Sequence, residues 1–125
     1  MTAPIKKWDV VLLSYPFSDA TTSKVRPAVV ISPDSENQSS EDAVFVLITS
    51  NTRRQSKYDL IIEDSHPEFR GTGLNRSSAV RINKIWTLKT RLASRVLGRI
   101  GPRLQSDMLH LLGSYLNLGV SKSSP

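Results

Sequence analysis

The apolar residues of this chain come in short runs separated by polar loops. Five runs lie at residues 8–15, 28–32, 43–50, 58–64 and 79–88, and Pro, Gly, Asn and Ser fill the segments between them. Runs of this length, bounded by turn-forming residues, are typical of β-strands. The sequence therefore predicts five strands. In the last of them the alternation slips near Asn83 and Lys84, as at a β-bulge.

From Pro102 onward the apolar spacing changes to that of a helix. The apolar positions on its predicted face are Leu104, Met108, Leu111, Leu112 and Tyr115. Pro102 suits the first turn of a helix, and Gly119 suits its end, which leaves residues 119–125 as a flexible tail. Residues 93–100 predict a further short strand, or a helical turn followed by one. The fold class is therefore mostly β with a C-terminal helix, built on a strongly bent antiparallel sheet or barrel.

The composition limits the number of domains and the kinds of functional site that this chain can have. A chain of 125 residues is expected to form one domain, residues 1–125, with its core at about 8–118. It has no cysteine and two histidines, so disulfides and thiolate zinc sites are excluded, and we expect no metal site and no cofactor. No apolar run approaches the roughly 20 residues of a membrane-spanning helix. We expect a cytoplasmic protein with no membrane partner.

The charge balance indicates the kind of partner. Lys and Arg number 17 against 11 Asp and Glu, which gives a formal net charge of +6. Such an excess favours a polyanion or an acidic protein as the partner. The alternative at this point is a generic charge that serves solubility.

Arg26 is the most distinctive candidate, because it stands at the entrance of an apolar strand in the segment "KVRPAVVIS". Its guanidinium matches the geometry of a phosphate, and Pro27 biases the Arg26 backbone towards an extended conformation. The alternative is an ion pair of Arg26 with Asp9 or Asp19.

A second polar segment, "TSNTRR", follows the third strand. The hydroxyls of Thr49 and Ser50 can bind a phosphate or cap the following turn. Arg53 and Arg54 suit either a phosphate track or a solvated turn. His66 is a candidate proton carrier or a solvated loop residue.

Four blocks in order resemble the PemK/MazF family, the toxins of type II toxin–antitoxin modules. They are "WDVVLLSYPFSDATTSKVRPAVVIS", "VLITS", "GTGLNRSSAVRINKIWTL" and "GRIGPRLQSDMLHLL", and the resemblance covers roughly residues 8 to 116. The resemblance implies an SH3-like barrel of the PemK/MazF (CcdB-like) type and a homodimer. It further implies a metal-independent endoribonuclease that cuts single-stranded RNA through a 2′,3′-cyclic phosphate, paired with a cognate acidic antitoxin.

The resemblance also assigns roles to residues. Arg26 matches the arginine of the family's "RP" element and Thr49 the threonine of its "TS" element, which implies that both are catalytic. The implied substrate-binding residues are Lys24, Pro27, Ser50, Asn51, Arg53, Arg54, Ser78, Arg81 and Asn83. The loop aromatics Phe17 and Phe69 are candidates for base contacts.

Three positions depart from the family pattern. Asn83 replaces an acid, and an amide cannot carry a proton. Trp8 stands where a glycine is common, and Ser77 replaces a proline beside Ser78. Two other functions stay open at this point: a toxin that binds DNA gyrase without cutting RNA, and an RNA-binding barrel without turnover.

Overall fold

The computed structural model describes residues 4–15 and 24–118. Within them the chain forms a six-stranded sheet and three helices. The strands are β1 (Asp9–Tyr15), β2 (Lys24–Val30), β3 (Asp42–Thr49), β4 (Asp59–Ile62), β5 (Ser78–Lys89) and β6 (Ala93–Arg99). The helices are α1 (Asp34–Ser39), α2 (Phe69–Thr72) and α3 (Pro102–Tyr115). The strand order is β4-β5-β3-β2-β1-β6, and every pair is antiparallel.

The predicted mostly β fold with a C-terminal helix is confirmed. All five predicted strands form, and β6 follows a 3-10 turn at Thr90–Leu92. β2 begins four residues before the predicted position, because Lys24 to Pro27 pair with β1. The two short helices α1 and α2 lie in segments that were predicted to be loops.

The predicted bulge in β5 is confirmed as well. β3 pairs with β5 at Val46↔Ile85 and again at Ile48↔Val80. Between these pairs β3 has one residue, whereas β5 has residues 81–84. The extra residues of β5 interrupt the regular ladder opposite Leu47, near the C-terminal end of β3.

The sheet buries apolar side chains on both faces. The face towards α3 holds the larger cluster, which we call the helix-side core: it includes Val29, Val46, Ile48, Val80, Ile82 and, from α3, Leu104, Met108 and Leu112. The other face holds the second core: Val11, Leu13, Tyr15, Ala28, Val30 and Phe45 with Ile5 and Ala43. Successive residues of β2 and β3 alternate between the two cores, as the two-residue period of a strand requires.

The N-terminus of α3 is capped by the side chain of Glu68, the residue just before α2. The two carboxylate oxygens of Glu68 accept hydrogen bonds of 2.9 Å from the backbone amides of Arg103 and Leu104. Burial acts to raise the pKa of Glu68, but these bonds and the nearby charges of His66 and Arg103 outweigh it and lower that pKa. The predicted start of the helix at Pro102 is confirmed.

Trp8 has a backbone conformation that suits glycine. Its φ is +76°, and its side chain is 8% exposed in the helix-side core. The Trp8 amide donates to the Val30 carbonyl at 2.7 Å, and its carbonyl accepts from the Ile100 amide at 2.9 Å. Both bonds form with the Trp8 backbone in the left-handed region. Glycine adopts that conformation without strain, which gives a physical reason for a glycine at this position.

Several predictions fall outside the described residues. Phe17, Asp19 and the loop up to residue 23 lie there, as do Gly119 and the tail that was predicted to be flexible. No helix within the described part of the chain is long and apolar enough to span a bilayer.

Candidate active site

The three polar segments predicted from the sequence meet at one end of the sheet. β2 and β5 begin there and β3 ends there, because β3 is antiparallel to both neighbours. Leu47 pairs with Ala28 of β2, and Thr49 pairs with Ala79 of β5. Residues that are more than 20 positions apart in the chain are thereby brought to one edge.

Arg26 and Thr49 lie on the same face at this edge. The ladder of β2 and β3 ends at the pair Ala28↔Leu47, and Arg26 and Thr49 each lie two residues beyond that pair on their own strand. Residues two apart on a strand share a face, so Arg26 follows Ala28 and Thr49 follows Leu47 on the side of the second core. An arginine and a hydroxyl therefore lie on one face at the same end of the sheet.

Arg26 has no carboxylate partner among residues 4–15 and 24–118. Asp9, one of the two predicted alternatives, instead lies 3.6 Å from the guanidinium of Arg99. Arg26 is half-exposed, and its charge acts on the nearby Tyr15 hydroxyl. Burial raises the pKa of Tyr15 and the positive charge of Arg26 opposes that rise only in part, so Tyr15 is a neutral phenol beside Arg26.

Thr49 shapes the turn that follows it. Its hydroxyl accepts a hydrogen bond from the Asn51 amide at 3.2 Å, and the Asn51 side-chain oxygen accepts from the Arg53 amide at 3.0 Å. The predicted turn-capping role is therefore present. A hydroxyl that accepts one bond keeps its proton for another, so the turn leaves Thr49 able to donate to a phosphate oxygen.

Most of the predicted substrate-binding residues are accessible at this edge. Pro27 is half-exposed, and the exposed members are Lys24, Ser50, Asn51, Arg53, Arg54 and Asn83. Arg54 uses one guanidinium nitrogen to donate to the Asp59 carbonyl at 2.8 Å. Three exposed cations lie near Arg26 and Thr49 along the chain: Lys24 on β2, and Arg53 and Arg54 in the loop after β3. We call these three residues the positive rim.

Two predicted substrate-binding residues lie elsewhere than expected. Ser78 is 3% exposed, donates to the Arg76 carbonyl at 2.8 Å and shares its face with Val80 in the helix-side core. Arg81 is 4% exposed and is bound by Asp59 at 2.6 Å. The geometry of this chain therefore does not support a direct RNA contact by Ser78 or Arg81.

Asp59 is a site residue that the sequence did not reveal. It is 3% exposed and pairs with Arg81 across β4 and β5. A lone Asp at the start of an apolar strand gives no signal of this kind, because only the register of the sheet brings it to Arg81.

His66 belongs to the turn before α2. Its ring Nδ1 accepts a hydrogen bond from the Glu68 amide at 3.0 Å. Within the described residues no group of three or more His, Asp or Glu side chains lies together as a metal site would require.

A cavity of about 780 Å³ lies apart from this edge. Its lining includes Ile5, Gln38, Thr90 and Arg95, and none of the predicted site residues borders it.

Comparison with known proteins identifies a family that matches the sequence and solved structures that share the fold. The sequence model of a family described as "PemK-like, MazF-like toxin of type II toxin-antitoxin system" matches residues 6–116. None of the curated proteins matches the sequence significantly. Several solved structures share the fold.

One similar structure is an endoribonuclease in complex with its cognate antitoxin from a mycobacterial species. It has a TM-score of 0.74 and 21% identity, with 95% of this chain and 100% of that chain covered. MazF from Deinococcus radiodurans has a TM-score of 0.71 and 19% identity, with 93% and 99% covered. The Mycobacterium tuberculosis toxin MazF-mt6 has a TM-score of 0.72 and 14% identity, with 90% and 99% covered.

Proposed function

Because the chain belongs to the PemK-like, MazF-like toxin family of type II toxin–antitoxin systems, we propose that it is a toxin that cleaves single-stranded RNA in a sequence-specific way. The observation that carries the proposal is that Arg26 and Thr49 lie on one face of the sheet, each two residues beyond the pair Ala28↔Leu47. The similar mycobacterial protein, itself an endoribonuclease, supports the same activity.

In the proposed reaction the ribose 2′-OH attacks the adjacent phosphorus. The bond from phosphorus to the 5′ oxygen breaks, that oxygen takes up a proton, and the products are a 2′,3′-cyclic phosphate and a free 5′-OH. Arg26 stabilises the negative charge that builds on the phosphoryl oxygens, a role in which one preorganised donor is worth about 3 kcal/mol. The Thr49 hydroxyl donates a hydrogen bond to the same phosphate.

The proton transfers impose a further condition on the site. Asn83 stands where the family has an acid, and its amide holds a hydrogen bond but accepts no proton. Tyr15 is protonated at neutral pH, because burial raises its pKa, so it is no general base. In our proposal Asn83 orients the RNA, and the 2′-OH proton leaves to another acceptor.

The positive rim holds the RNA backbone. Lys24, at the start of β2, and Arg53 and Arg54, in the loop after β3, are exposed. Contacts of this kind weaken steeply as salt rises, because RNA binding releases counterions. Ser50 and Asn51 line the same loop as further substrate contacts, and Pro27 keeps Arg26 extended.

The test is cleavage of a long RNA in EDTA, with both ends of each product mapped. We expect cuts that leave a 2′,3′-cyclic phosphate. R26A should lower the rate at least a hundredfold while its circular dichroism stays that of the wild type, and R95A, on the edge strand β6, should cut normally. A wild type that cleaves no RNA at any salt concentration would disprove the nuclease and leave a binding protein, and an active R26A would disprove the role of Arg26.

We also propose that a cognate acidic antitoxin binds the positive rim and that the toxin is a cytoplasmic, single-domain homodimer. The net charge of +6 supports the acidic partner, as does the antitoxin bound to the mycobacterial relative. Exposed apolar side chains on the second half of α3 and just after it, Leu109, Tyr115, Leu116 and Leu118, support self-association. Sedimentation should give twice the mass of one chain, and a mass of one chain would contradict the dimer.

A further inference from the structure

Asp59 and Arg81 form a buried ion pair at the edge of the candidate active site. They are opposite each other on β4 and β5, and Arg81 Nη1 lies 2.6 Å from Asp59 Oδ2. The two side chains are 0% and 4% exposed. Burying both charges removes their hydration, a cost that often cancels the attraction between them. Stability alone is therefore a weak reason for this pair.

The remaining hydrogen bonds of the pair go to the loop that follows β3. Arg81 Nη2 donates to the Asn51 carbonyl at 2.6 Å. Asp59 Oδ2 also accepts from the amides of Gln55 at 2.7 Å and Ser56 at 3.0 Å. Both charged groups thus hold residues 51–56, which include Arg53 and Arg54 of the positive rim.

This network ends at Thr49. Asn51 is held at both sides of its backbone: Arg81 binds its carbonyl, and its amide donates to the Thr49 hydroxyl. A shift of Arg81 would therefore move Asn51 and turn the Thr49 hydroxyl. The contacts run without a gap from Asp59 through Arg81 and Asn51 to Thr49.

The other carboxylate oxygen of Asp59 lowers the stability of the fold, which suggests that the residue serves a function. Asp59 Oδ1 is buried and has no hydrogen-bond partner among the described residues. An unmatched buried acceptor destabilises a fold, and such groups call for an explanation beyond packing.

We infer that Asp59 and Arg81 are positioning residues, which act through Asn51 to orient the Thr49 hydroxyl and to hold the cations of the loop for RNA cleavage. The inference rests on the proposed ribonuclease function. It replaces the expected direct contact of Arg81 with RNA by an indirect role.

The main test is D59N, which keeps the size of the side chain and removes its charge. We expect kcat to fall at least tenfold, because the Thr49 hydroxyl is misplaced, with a smaller rise in KM, because Arg53 and Arg54 keep their charges but are held less firmly. The salt dependence of RNA binding should not change, whereas loss of a direct phosphate contact would lower its slope by about one. E41Q removes an acid from an exposed ion pair with Lys89 and serves as the matched control.

A second readout does not depend on cleavage of RNA. Trypsin cuts after Arg53 and Arg54, so release of the loop in D59N should speed cutting there at least tenfold, with cutting at other sites unchanged. Unchanged kcat and unchanged trypsin cutting in D59N would overturn the inference. If the wild type cleaves no RNA, the proposed function fails, and trypsin cutting still decides whether the pair holds the loop.

R81K covers the case in which D59N does not fold. Lysine keeps the charge, but its single ammonium does not reproduce the fork that reaches both Asp59 and the Asn51 carbonyl. We expect faster trypsin cutting in the loop and the same fall in kcat. An R81K protein with wild-type values in both assays would contradict the inference.

Discussion

Trp8 offers a direct measurement of backbone strain, because a bulky side chain occupies a left-handed position. Its φ is +76°, and its ring is buried in the helix-side core at 8% exposure. Replacing a buried Trp by Ala costs roughly 3–5 kcal/mol. A non-glycine residue in this region is strained by roughly 1–2 kcal/mol, and glycine relieves the strain but loses about 0.5–1 kcal/mol of backbone entropy on folding.

These magnitudes predict the order of two variants. W8A should lower the free energy of unfolding by roughly 3–5 kcal/mol, because it loses the ring and keeps the strained backbone. W8G loses the same ring and relaxes the backbone, so it should be more stable than W8A by up to about 1 kcal/mol. The usual advantage of alanine over glycine is thereby reversed.

The assay is urea unfolding of wild type, W8A and W8G, followed by circular dichroism, since both variants lack one of the two tryptophans that would report by fluorescence. The slope of the free energy with urea should be equal in all three. V25A, at a residue that is 51% exposed, is the control and should change little. A W8A protein as stable as W8G, or more stable, would refute the strain at Trp8.

Two further predictions concern stability. The lowered pKa of Glu68 means that its carboxylate stabilises the fold above its ordinary pKa of 4.5 and loses this contribution as the pH falls below that value. E68Q should therefore flatten the dependence of the thermal midpoint on pH as the pH falls below 4.5, and an unchanged dependence would contradict the capping role. G98A should destabilise by roughly 1–3 kcal/mol, because a Cβ there would lie 2.3 Å from the Gly71 carbonyl oxygen. G113A in α3 meets nothing within 4 Å and should stabilise by about 0.5–1 kcal/mol. Chemical denaturation measures both variants, and a change of the opposite sign in either one would contradict the assignment made for it.

Local patterns in the sequence were sufficient for the strands, for α3 and for the position of the bulge. Each depends on interactions within a few residues: the two-residue alternation of a strand, the spacing of Leu104, Met108 and Leu112 on one helical face, and a proline that starts α3. Pro27 likewise restricts Arg26 through the chain itself. The short helices α1 and α2 were not predicted, because their segments are mostly polar and show no helical spacing of apolar residues.

Only the tertiary structure decided which side chains face one another. Ser78 follows the alternation of Val80 into the helix-side core, and the buried Arg81 binds Asp59 from the neighbouring strand. A shift of one residue in the pairing of two strands moves every side chain to the opposite face, and nothing local in the sequence specifies that pairing. The sequence by itself therefore determined which residues are chemically suited to bind a phosphate. The register of β2, β3, β4 and β5 decided that Arg26 and Thr49 lie on one face at the same end of the sheet, while Arg81 and Asp59 are buried and bind the loop after β3.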